Sequence, residues 1–227
     1  MPPSSRETVI ILHGLGRTAI SMAWMDRALK KAGYATINTS YRFRRGSIDE
    51  LAKEVVGSRM EKARRSGAKR VHFVTHSLGG ILLRYFAEHH SPPENSRAVM
   101  IAPPNQGSEL VDYFRELPPL HWFCGPAFGE LSTDDDSAPN RLGPVDIETG
   151  VIAGERNLFP GFARHFDGPS DGIVAVERTK VAGMKDWTIV PHGHTFIMNT
   201  PTTIRQTLCF LKDGRFENED TQSNMPS

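Results

Sequence analysis

The hydrophobic pattern of the chain alternates between short apolar runs and longer amphipathic segments. The run Thr8-Val9-Ile10-Ile11-Leu12 is apolar on both faces, as expected of a strand buried on both sides of a sheet. Similar runs predict strands at residues 8–12, 35–39, 71–75, 97–102, 150–153 and 187–190. Segments with one apolar helical face predict helices at residues 18–31, 48–65, 78–89 and 202–211. This alternation predicts an α/β fold with a mostly parallel sheet and helices on both faces.

Two stretches depart from the alternation. Residues 117–144 are rich in Pro, Gly, Asp and aromatic residues and show no clear period, which indicates a cap-like insertion or a functional loop. The polar residues 213–227 predict a disordered tail. We therefore expect one domain over residues 1–212, with an insertion at about 117–144, followed by the tail.

The composition excludes several classes of protein. The 27 Lys and Arg residues against 26 Asp and Glu residues leave a net charge of +1, too balanced for a dedicated nucleic-acid or anionic-membrane binder. Hydrophobic residues make up 38% of the chain, and the 20 glycines bring the apolar share near that of globular proteins. Disordered and fibrous classes are therefore excluded.

The cellular setting is predicted from what the pattern lacks. No apolar stretch approaches the roughly 18 residues of a membrane-spanning helix, and the first residues show no signal-peptide pattern. Cys124 and Cys209 could form at most one disulfide, which a core of this size does not need. We expect a cytoplasmic protein without stable membrane insertion; the pattern does not predict the oligomeric state.

A serine at the end of the third predicted strand is the strongest candidate for chemistry. Ser77 follows residues 71–75, and a helix begins at once. This is the place of a nucleophile elbow, a sharp turn that needs small residues two before and two after the serine. Gly79 meets the second requirement, whereas Thr75 stands where the G-x-S-x-G pattern has its first glycine. An ordinary N-cap serine is the alternative, and the surrounding strand, helix and glycines favour the nucleophile.

The residues around this serine resemble the α/β-hydrolase superfamily, and within it the compact bacterial lipases and esterases. The matching blocks follow the family's order over most of the chain: residues 9–16, 75–80, 105–108, 170–174 and 192–195. The first two blocks are specific together, and the others gain weight from their order. The resemblance implies an α/β-hydrolase fold and a catalytic triad in the chain order Ser, Asp or Glu, His.

A serine hydroxyl needs a neighbouring base, and histidine suits that role. Of the nine histidines, His192 and His194 follow the last strand, where the family places its base. His194 is preferred because His192 comes directly after Pro191 at the strand end. His13 is expected to shape the loop after the first strand rather than to titrate, and His76 is expected to face elsewhere on the elbow.

The third member of the triad must be a carboxylate that fixes the imidazole tautomer. It should follow the strand predicted at residues 150–153, where Asp167 and Asp171 both qualify. Asp171 is preferred because Asp-Gly followed by apolar residues resembles the family's acid loop. An aspartate used only in a turn remains the alternative.

The resemblance also implies an oxyanion hole and a substrate pocket. Its donors would be the backbone N–H groups of Leu15 and Leu78. Residues 105–108 are interpreted as pocket wall and helix start. The apolar side chains of the insertion would line an acyl-binding surface or else close the core: Leu117, Leu120, Trp122, Phe123, Phe128 and Leu131. The acidic run at residues 134–136 is interpreted as a solvated loop rather than a calcium site.

These residues predict a serine hydrolase that cleaves carboxylic esters through an acyl-enzyme, with a small acyl ester as substrate and no cofactor or metal. A His-x-His metal site lacks further ligands nearby. The alternatives are an acyltransferase, thioesterase or amidase with the same triad, or a hydrolase-like binding module without activity. Nucleotide binding is rejected because Gly14-Leu15-Gly16 lacks the third glycine of a dinucleotide site and no P-loop lysine is present.

Overall fold

One sheet of six parallel strands organises the chain. The computed structural model describes residues 7–115, 124–158 and 160–217. Its strands are β1 (Glu7–Leu12), β2 (Ala35–Asn38), β3 (Arg70–His76), β4 (Arg97–Ile101), β5 (Glu148–Gly154) and β6 (Asp186–Val190). They lie in the order β2–β1–β3–β4–β5–β6, and each neighbouring pair is parallel. The predicted α/β fold is confirmed.

Helices cover both faces of this sheet. In the described ranges they are α1 (Ala23–Lys31), α2 (Ile48–Leu51), α3 (Gly57–Arg65), α4 (Leu78–His89), α5 (Glu109–Phe114), α6 (Pro126–Gly129), α7 (Ala138–Arg141) and α8 (Pro201–Asp213). None of these helices has the length and apolar character needed to cross a bilayer.

Each strand supplies two separate cores because its successive side chains point to opposite faces of the sheet. Ile11 belongs to the cluster that contains Phe210 of α8, and α1 packs on the same face. Ile10 belongs to the cluster that contains Leu82 of α4, together with α2 and the described part of the insertion. Burial on both faces explains why the sequence of β1 is apolar at successive positions.

The helix predicted at residues 48–65 is a continuous run with one wider turn. Ser47 and Glu50 form a capping box, in which the Ser47 hydroxyl accepts the Glu50 N–H at 3.3 Å and the Glu50 carboxylate accepts the Ser47 N–H at 3.1 Å. A π-helical segment (Ala52–Val56) joins α2 to α3. The helix predicted at residues 18–31 also differs from the structure, because a 3-10 turn (Ala19–Met22) precedes α1 there.

The predicted disordered tail begins too early. Helix α8 extends to Asp213, and Gly214 reverses the chain with a φ of 71°. Phe216 is 5% exposed, and its ring lies 5.1 Å from that of Phe210. The Glu217 N–H donates to the Gln206 side chain at 2.8 Å. Residues 213–217 therefore belong to the fold, because one aromatic ring buries apolar area that the average polarity of the segment conceals. The remaining residues of the predicted tail, 218–227, lie outside the described residues.

The predicted insertion at residues 117–144 is described only from residue 124. It contains α6 and α7, each of four residues, which is too short for a recognisable period. The Asp112 carboxylate of α5 accepts the Thr133 N–H at 2.9 Å and the Thr133 hydroxyl at 2.6 Å. Asp134, in the acidic run, accepts the Ser132 hydroxyl at 3.0 Å and also pairs with Arg115. Side-chain hydrogen bonds therefore hold this segment against α5.

Gly107, in the loop after β4, has no room for a side chain. Its φ is +81°, and a Cβ there would overlap the Ser132 carbonyl oxygen and lie 2.6 Å from the Ser132 carbonyl carbon. Gly67, at the end of α3, has a similar φ of +76° but nothing within 4 Å of such a Cβ. A comparison of substitutions at Gly67 and Gly107 therefore distinguishes the cost of backbone strain from the cost of steric overlap.

We expect Gly67→Ala to lower the free energy of unfolding by about 1 kcal/mol, the cost of the left-handed conformation. Gly107→Ala should lower it by about 3 kcal/mol, because overlap with the Ser132 backbone adds to that cost. Urea unfolding measures both values. Equal losses in the two variants would contradict the close contact described between Gly107 and the Ser132 backbone.

His72 is a histidine buried in the sheet. Its Nδ1 accepts the Arg97 N–H at 3.0 Å, and its side chain is 1% exposed. Burial, with the charges of Arg70 and Arg97, lowers the pKa of His72 to about 4, although the Glu7 carboxylate lies 3.6 Å from Nε2. The imidazole is therefore neutral in the folded protein at neutral pH.

This burial predicts a loss of stability in mild acid. Between about pH 6.5 and pH 4 the unfolded chain binds a proton at His72 that the folded protein does not, so the free energy of unfolding falls as the pH falls. One such histidine contributes up to about 1.4 kcal/mol per pH unit. We expect His72→Gln to flatten this slope in urea titrations over that range, and the exposed His90→Gln to leave it unchanged. Parallel slopes for His72→Gln and wild type would contradict a buried neutral imidazole.

Candidate active site

The turn between β3 and α4 places Ser77 at the carboxyl edge of the sheet. Ser77 has φ 52° and ψ −124°, a conformation that a residue with a Cβ rarely adopts. Its N–H donates to the Ile101 carbonyl oxygen of β4 at 3.0 Å, and α4 begins at the next residue. An ordinary N-cap residue normally has an extended backbone, so these angles do not fit the alternative of a serine that only caps the helix. The backbone at Ser77 is that of a nucleophile elbow.

Small residues make this turn possible. A Cβ on Gly79 would lie 2.8 Å from the Leu12 carbonyl oxygen, because α4 passes close to β1 there. Thr75, at the position of the pattern's first glycine, is fully buried in β3. The residue facing it is Gly80, whose missing Cβ would lie 3.4 Å from Thr75 Oγ1. The glycine thus packs on Thr75, and the closest contact of such a Cβ would be with Pro103 Cβ, at 3.1 Å.

Asp171 and His194 are joined by side chain and by backbone. His194 Nδ1 lies 2.7 Å from Asp171 Oδ2, and the His194 N–H donates to the Asp171 carbonyl oxygen at 3.0 Å. Both residues are buried, Asp171 at 2% and His194 at 9% exposure. A carboxylate partner places the ring proton on Nδ1 and leaves Nε2 as an acceptor. This is the protonation state that a general base requires.

Backbone groups hold the Asp171 carboxylate in place. Asp171 Oδ1 accepts the N–H of Ile173 at 2.9 Å and that of Val174 at 2.8 Å. The Asp171 N–H in turn donates to the Val174 carbonyl oxygen at 3.2 Å. The Asp-Gly-apolar motif of the sequence is therefore a tight turn, in which Gly172 has a φ of +95°. The turn aims one carboxylate oxygen at the backbone and the other at His194.

The alternative triad residues lie apart from this pair. Asp167 is exposed. His192 is half-buried, and its carbonyl oxygen accepts the Arg156 N–H at 3.3 Å. Of the candidates weighed from the sequence, Asp171 and His194 are the carboxylate and the imidazole that the fold brings together.

Ser77 and His194 line one cavity of about 300 Å³. In the described residues no hydrogen bond links the Ser77 hydroxyl to the His194 ring, a common state of sites without substrate, in which the contact tightens on binding. The apolar part of the cavity wall comes from α5, the described part of the insertion and the acid loop: Leu110, Val111, Phe114, Phe128, Leu131 and Ile173. Phe128 and Leu131 thus line the cavity as predicted and also belong to a core cluster. The other four predicted side chains, Leu117, Leu120, Trp122 and Phe123, lie outside the described residues.

The two predicted oxyanion donors flank Ser77. Leu78 is the first residue of α4, where a helix leaves its N–H groups without an intrahelical acceptor. Leu15 lies in the loop after β1 and lines the cavity. That loop approaches the serine closely, since a Cβ on Gly14 would lie 2.9 Å from Ser77 Cβ. The loop after β1 and the start of α4 thus lie on two sides of Ser77.

His13 fixes the loop after β1, as predicted. Its Nε2 accepts the Tyr41 N–H at 3.2 Å, its Nδ1 donates to the Gly14 carbonyl oxygen at 3.0 Å, and its ring stacks on that of Tyr41 at 4.0 Å. The Tyr41 hydroxyl donates to the His13 carbonyl oxygen at 2.5 Å. Burial lowers the pKa of His13 to about 4, so the ring stays neutral and its role is to hold the loop in place.

The prediction for His76 is wrong, because this residue faces the site. His76 lines the cavity, its ring lies 4.8 Å from that of His194, and its Nε2–H donates to the His194 carbonyl oxygen at 3.1 Å. Burial holds the pKa of His76 well below its usual value, and the nearby charges of His194 and Arg17 lower it further. His76 is therefore a neutral support for the His194 loop. Its position directly before the serine is the signal in the sequence that pointed to it.

The segment at residues 105–108 joins three parts of the site. The Arg84 guanidinium of α4 donates to the Asn105 carbonyl oxygen at 2.8 Å, and Asn105 Nδ2 donates to the Thr179 carbonyl oxygen at 2.8 Å. The Ser108 hydroxyl donates to the Ile173 carbonyl oxygen at 2.5 Å, and Ser108 precedes α5 and lines the cavity. Ser108 thus lies both in the cavity wall and at the start of α5, the two places expected for this segment.

Comparisons with known proteins connect this geometry to a known fold. No family model matches the sequence, and no curated protein matches it. Among solved structures, the mature form of the Bacillus licheniformis lipase BlEst2 matches with a TM-score of 0.72 and 18% identity, over 93% of this chain and 93% of that chain.

Two further structures extend the comparison. The phospholipase PlaB from Legionella pneumophila matches with a TM-score of 0.67 and 16% identity, over 97% of this chain and 62% of that chain. The metagenomic carboxyl esterase MGS0156 matches with a TM-score of 0.64 and 18% identity, over 85% of this chain and 65% of that chain. This chain spans less than two thirds of these last two. It has the α/β-hydrolase fold and resembles the bacterial lipases and esterases in it.

Proposed function

We propose that this protein is a serine hydrolase that cleaves carboxylic esters through an acyl-enzyme, with Ser77 as nucleophile, His194 as base and Asp171 as acid. The observation that carries the proposal is the 2.7 Å contact between His194 Nδ1 and Asp171, in a cavity shared with the strained Ser77. The lipase, phospholipase and carboxyl esterase among the structural neighbours support ester hydrolysis.

The first half of the reaction acylates Ser77. His194 Nε2 takes the hydroxyl proton as Ser77 Oγ attacks the ester carbonyl carbon, and the carbonyl oxygen becomes an oxyanion. The N–H groups of Leu15 and Leu78 receive that charge; losing one such donor typically costs about 3–4 kcal/mol in the barrier. When the tetrahedral intermediate collapses, the carbon–oxygen bond to the alcohol breaks. The proton on Nε2 passes to the leaving oxygen, and the alcohol departs.

The second half releases the acid. Nε2, again unprotonated, takes a proton from a water molecule, whose oxygen attacks the acyl-enzyme carbonyl. The new intermediate collapses with cleavage of the bond to Ser77 Oγ, which recovers its proton from His194. Throughout, Asp171 stabilises the imidazolium without taking its proton. The apolar wall of the cavity holds the acyl chain, since burial of each CH₂ contributes about 0.8 kcal/mol.

An organophosphonate probe tests the nucleophile directly. We expect one equivalent to add its mass to the wild-type protein and none to add to Ser77→Ala, because only an activated serine attacks phosphorus. Ser108, which lines the same cavity, is the matched control: Ser108→Ala should still be labelled at Ser77. Intact-mass spectrometry and peptide mapping measure the result. Labelling of Ser77→Ala would overturn the proposal.

Substitution of the acid tests the triad. Asp171→Asn should lower kcat on a p-nitrophenyl ester by about a thousandfold or more, because an amide cannot hold the required imidazole tautomer or stabilise its charge. Asp167→Asn removes an exposed carboxylate of the same region and should leave kcat unchanged. Circular dichroism verifies that both variants fold. Similar rates for Asp171→Asn and wild type would contradict the role given to Asp171.

A further inference from the structure

The cavity that holds Ser77 and His194 contains one full positive charge and no negative one among its described lining residues. Arg17, three residues after Gly14, lines the wall and is half-buried. In the described ranges it forms no salt bridge with a carboxylate. Among the described residues the lining includes no Asp or Glu. A half-buried guanidinium with no carboxylate partner in the described part of the chain is a ready site for an anion, because its planar fork binds phosphate or carboxylate oxygens in pairs.

The fold places Arg17 at the His194 end of the cavity. The 3-10 turn that follows Arg17 (Ala19–Met22) packs against the 3-10 turn that follows His194 (Ile197–Asn199), and Asn199 Nδ2 donates to the Ser21 carbonyl oxygen at 3.0 Å. Thr195 lines the cavity beside them. Apolar side chains of α5 and of the described part of the insertion line another part of the cavity: Leu110, Val111, Phe114, Phe128 and Leu131. The cavity therefore has a cationic end beside His194 and an apolar end formed by α5 and the insertion.

The direction of the reaction assigns the two parts of an ester to these two ends. The leaving oxygen must face His194 Nε2, from which it receives its proton, so the alcohol part lies at the end where Arg17 and Thr195 stand. The acyl chain then lies along the apolar wall. A negative group on the alcohol would meet Arg17 without displacing an existing carboxylate partner in the described chain.

We propose that Arg17 binds an anionic group, such as phosphate, on the alcohol part of the substrate, so that the preferred substrates are acyl esters of anionic alcohols. This inference rests on the proposed ester hydrolysis and adds the substrate class to it. Arg17 is a specificity-determining residue in this role: it acts on substrate binding, whereas Ser77, His194 and Asp171 carry the bond changes.

Two soluble esters with the same acyl group test the inference: 1-butyrylglycerol and 1-butyrylglycerol 3-phosphate, with butyrate release as the readout. Wild type should have a kcat/KM about tenfold higher for the phosphate ester, mainly through a lower KM, which corresponds to about 1.4 kcal/mol. Arg17→Gln should remove this preference while keeping the rate on the neutral ester, and Arg17→Lys should retain part of it. Added salt should reduce the preference of wild type. Arg27→Gln, which removes an exposed arginine of α1 outside the cavity, is the matched control and should behave as wild type.

The outcomes separate this inference from the proposed function. If Ser77-dependent hydrolysis occurs at the same kcat/KM for both esters, or if Arg17→Gln lowers both rates equally, the role of Arg17 is wrong and ester hydrolysis stands. If wild type hydrolyses neither ester, nor p-nitrophenyl butyrate, both proposals fail. Vesicles of phosphatidylglycerol distinguish the source of the anionic group: Arg17-dependent hydrolysis of these vesicles indicates a lipid headgroup, and Arg17-dependent hydrolysis of the soluble phosphate ester alone indicates a soluble metabolite.

Discussion

The reversal of the chain at Ser77 is the constraint around which the candidate site is built. A positive φ at a residue with a Cβ costs of order 1–3 kcal/mol and persists only where the surroundings fix it. Here the Ile101 carbonyl oxygen holds the Ser77 N–H, and Gly79 lets α4 approach β1. The same close approach brings Gly14 against the serine, and with it the loop that carries Leu15. The turn at this strained residue therefore brings together Ser77 and the two segments that carry the predicted oxyanion donors.

The charge distribution in the site depends on which histidine rings contact a carboxylate group. His13 and His76 are buried with carbonyl partners, and their pKa values lie well below the usual value, so both remain neutral. His194 alone among the histidines around Ser77 has a buried carboxylate partner, Asp171. A proton taken from Ser77 would thus remain on one ring, whose charge a fixed anion compensates. The neutral His76 adds no positive charge of its own beside the His194 ring.

Much of the fold could be predicted because its central strands are apolar runs and the strands are separated by helices with one apolar face. The strand and helix around Ser77 were located within one or two residues, since the elbow combines a buried run, a serine and glycines in fixed order. The site residues that the sequence pattern does not reveal are those whose role depends on where the side chain points, not on which residue type it is. A sequence does not tell where the His76 ring points after a turn as sharp as that at Ser77, nor that Arg17 turns toward the cavity. Phe216 was missed because a single aromatic residue in a polar segment gives no period, although it packs on Phe210.

The double connection between Asp171 and His194 has a consequence for how this cavity could be reshaped. Backbone and side-chain hydrogen bonds tie the two loops together, and the Ser108 hydroxyl ties the acid loop to the start of α5 through the Ile173 carbonyl oxygen. Enlarging this side would disturb the alignment of His194 with Asp171. Phe128 lines the cavity from the insertion, and its side chain is not one of the groups that form the hydrogen bonds between Asp171 and His194. Engineering for bulkier acyl groups should therefore begin at Phe128, where a smaller side chain would add volume and leave those hydrogen bonds in place.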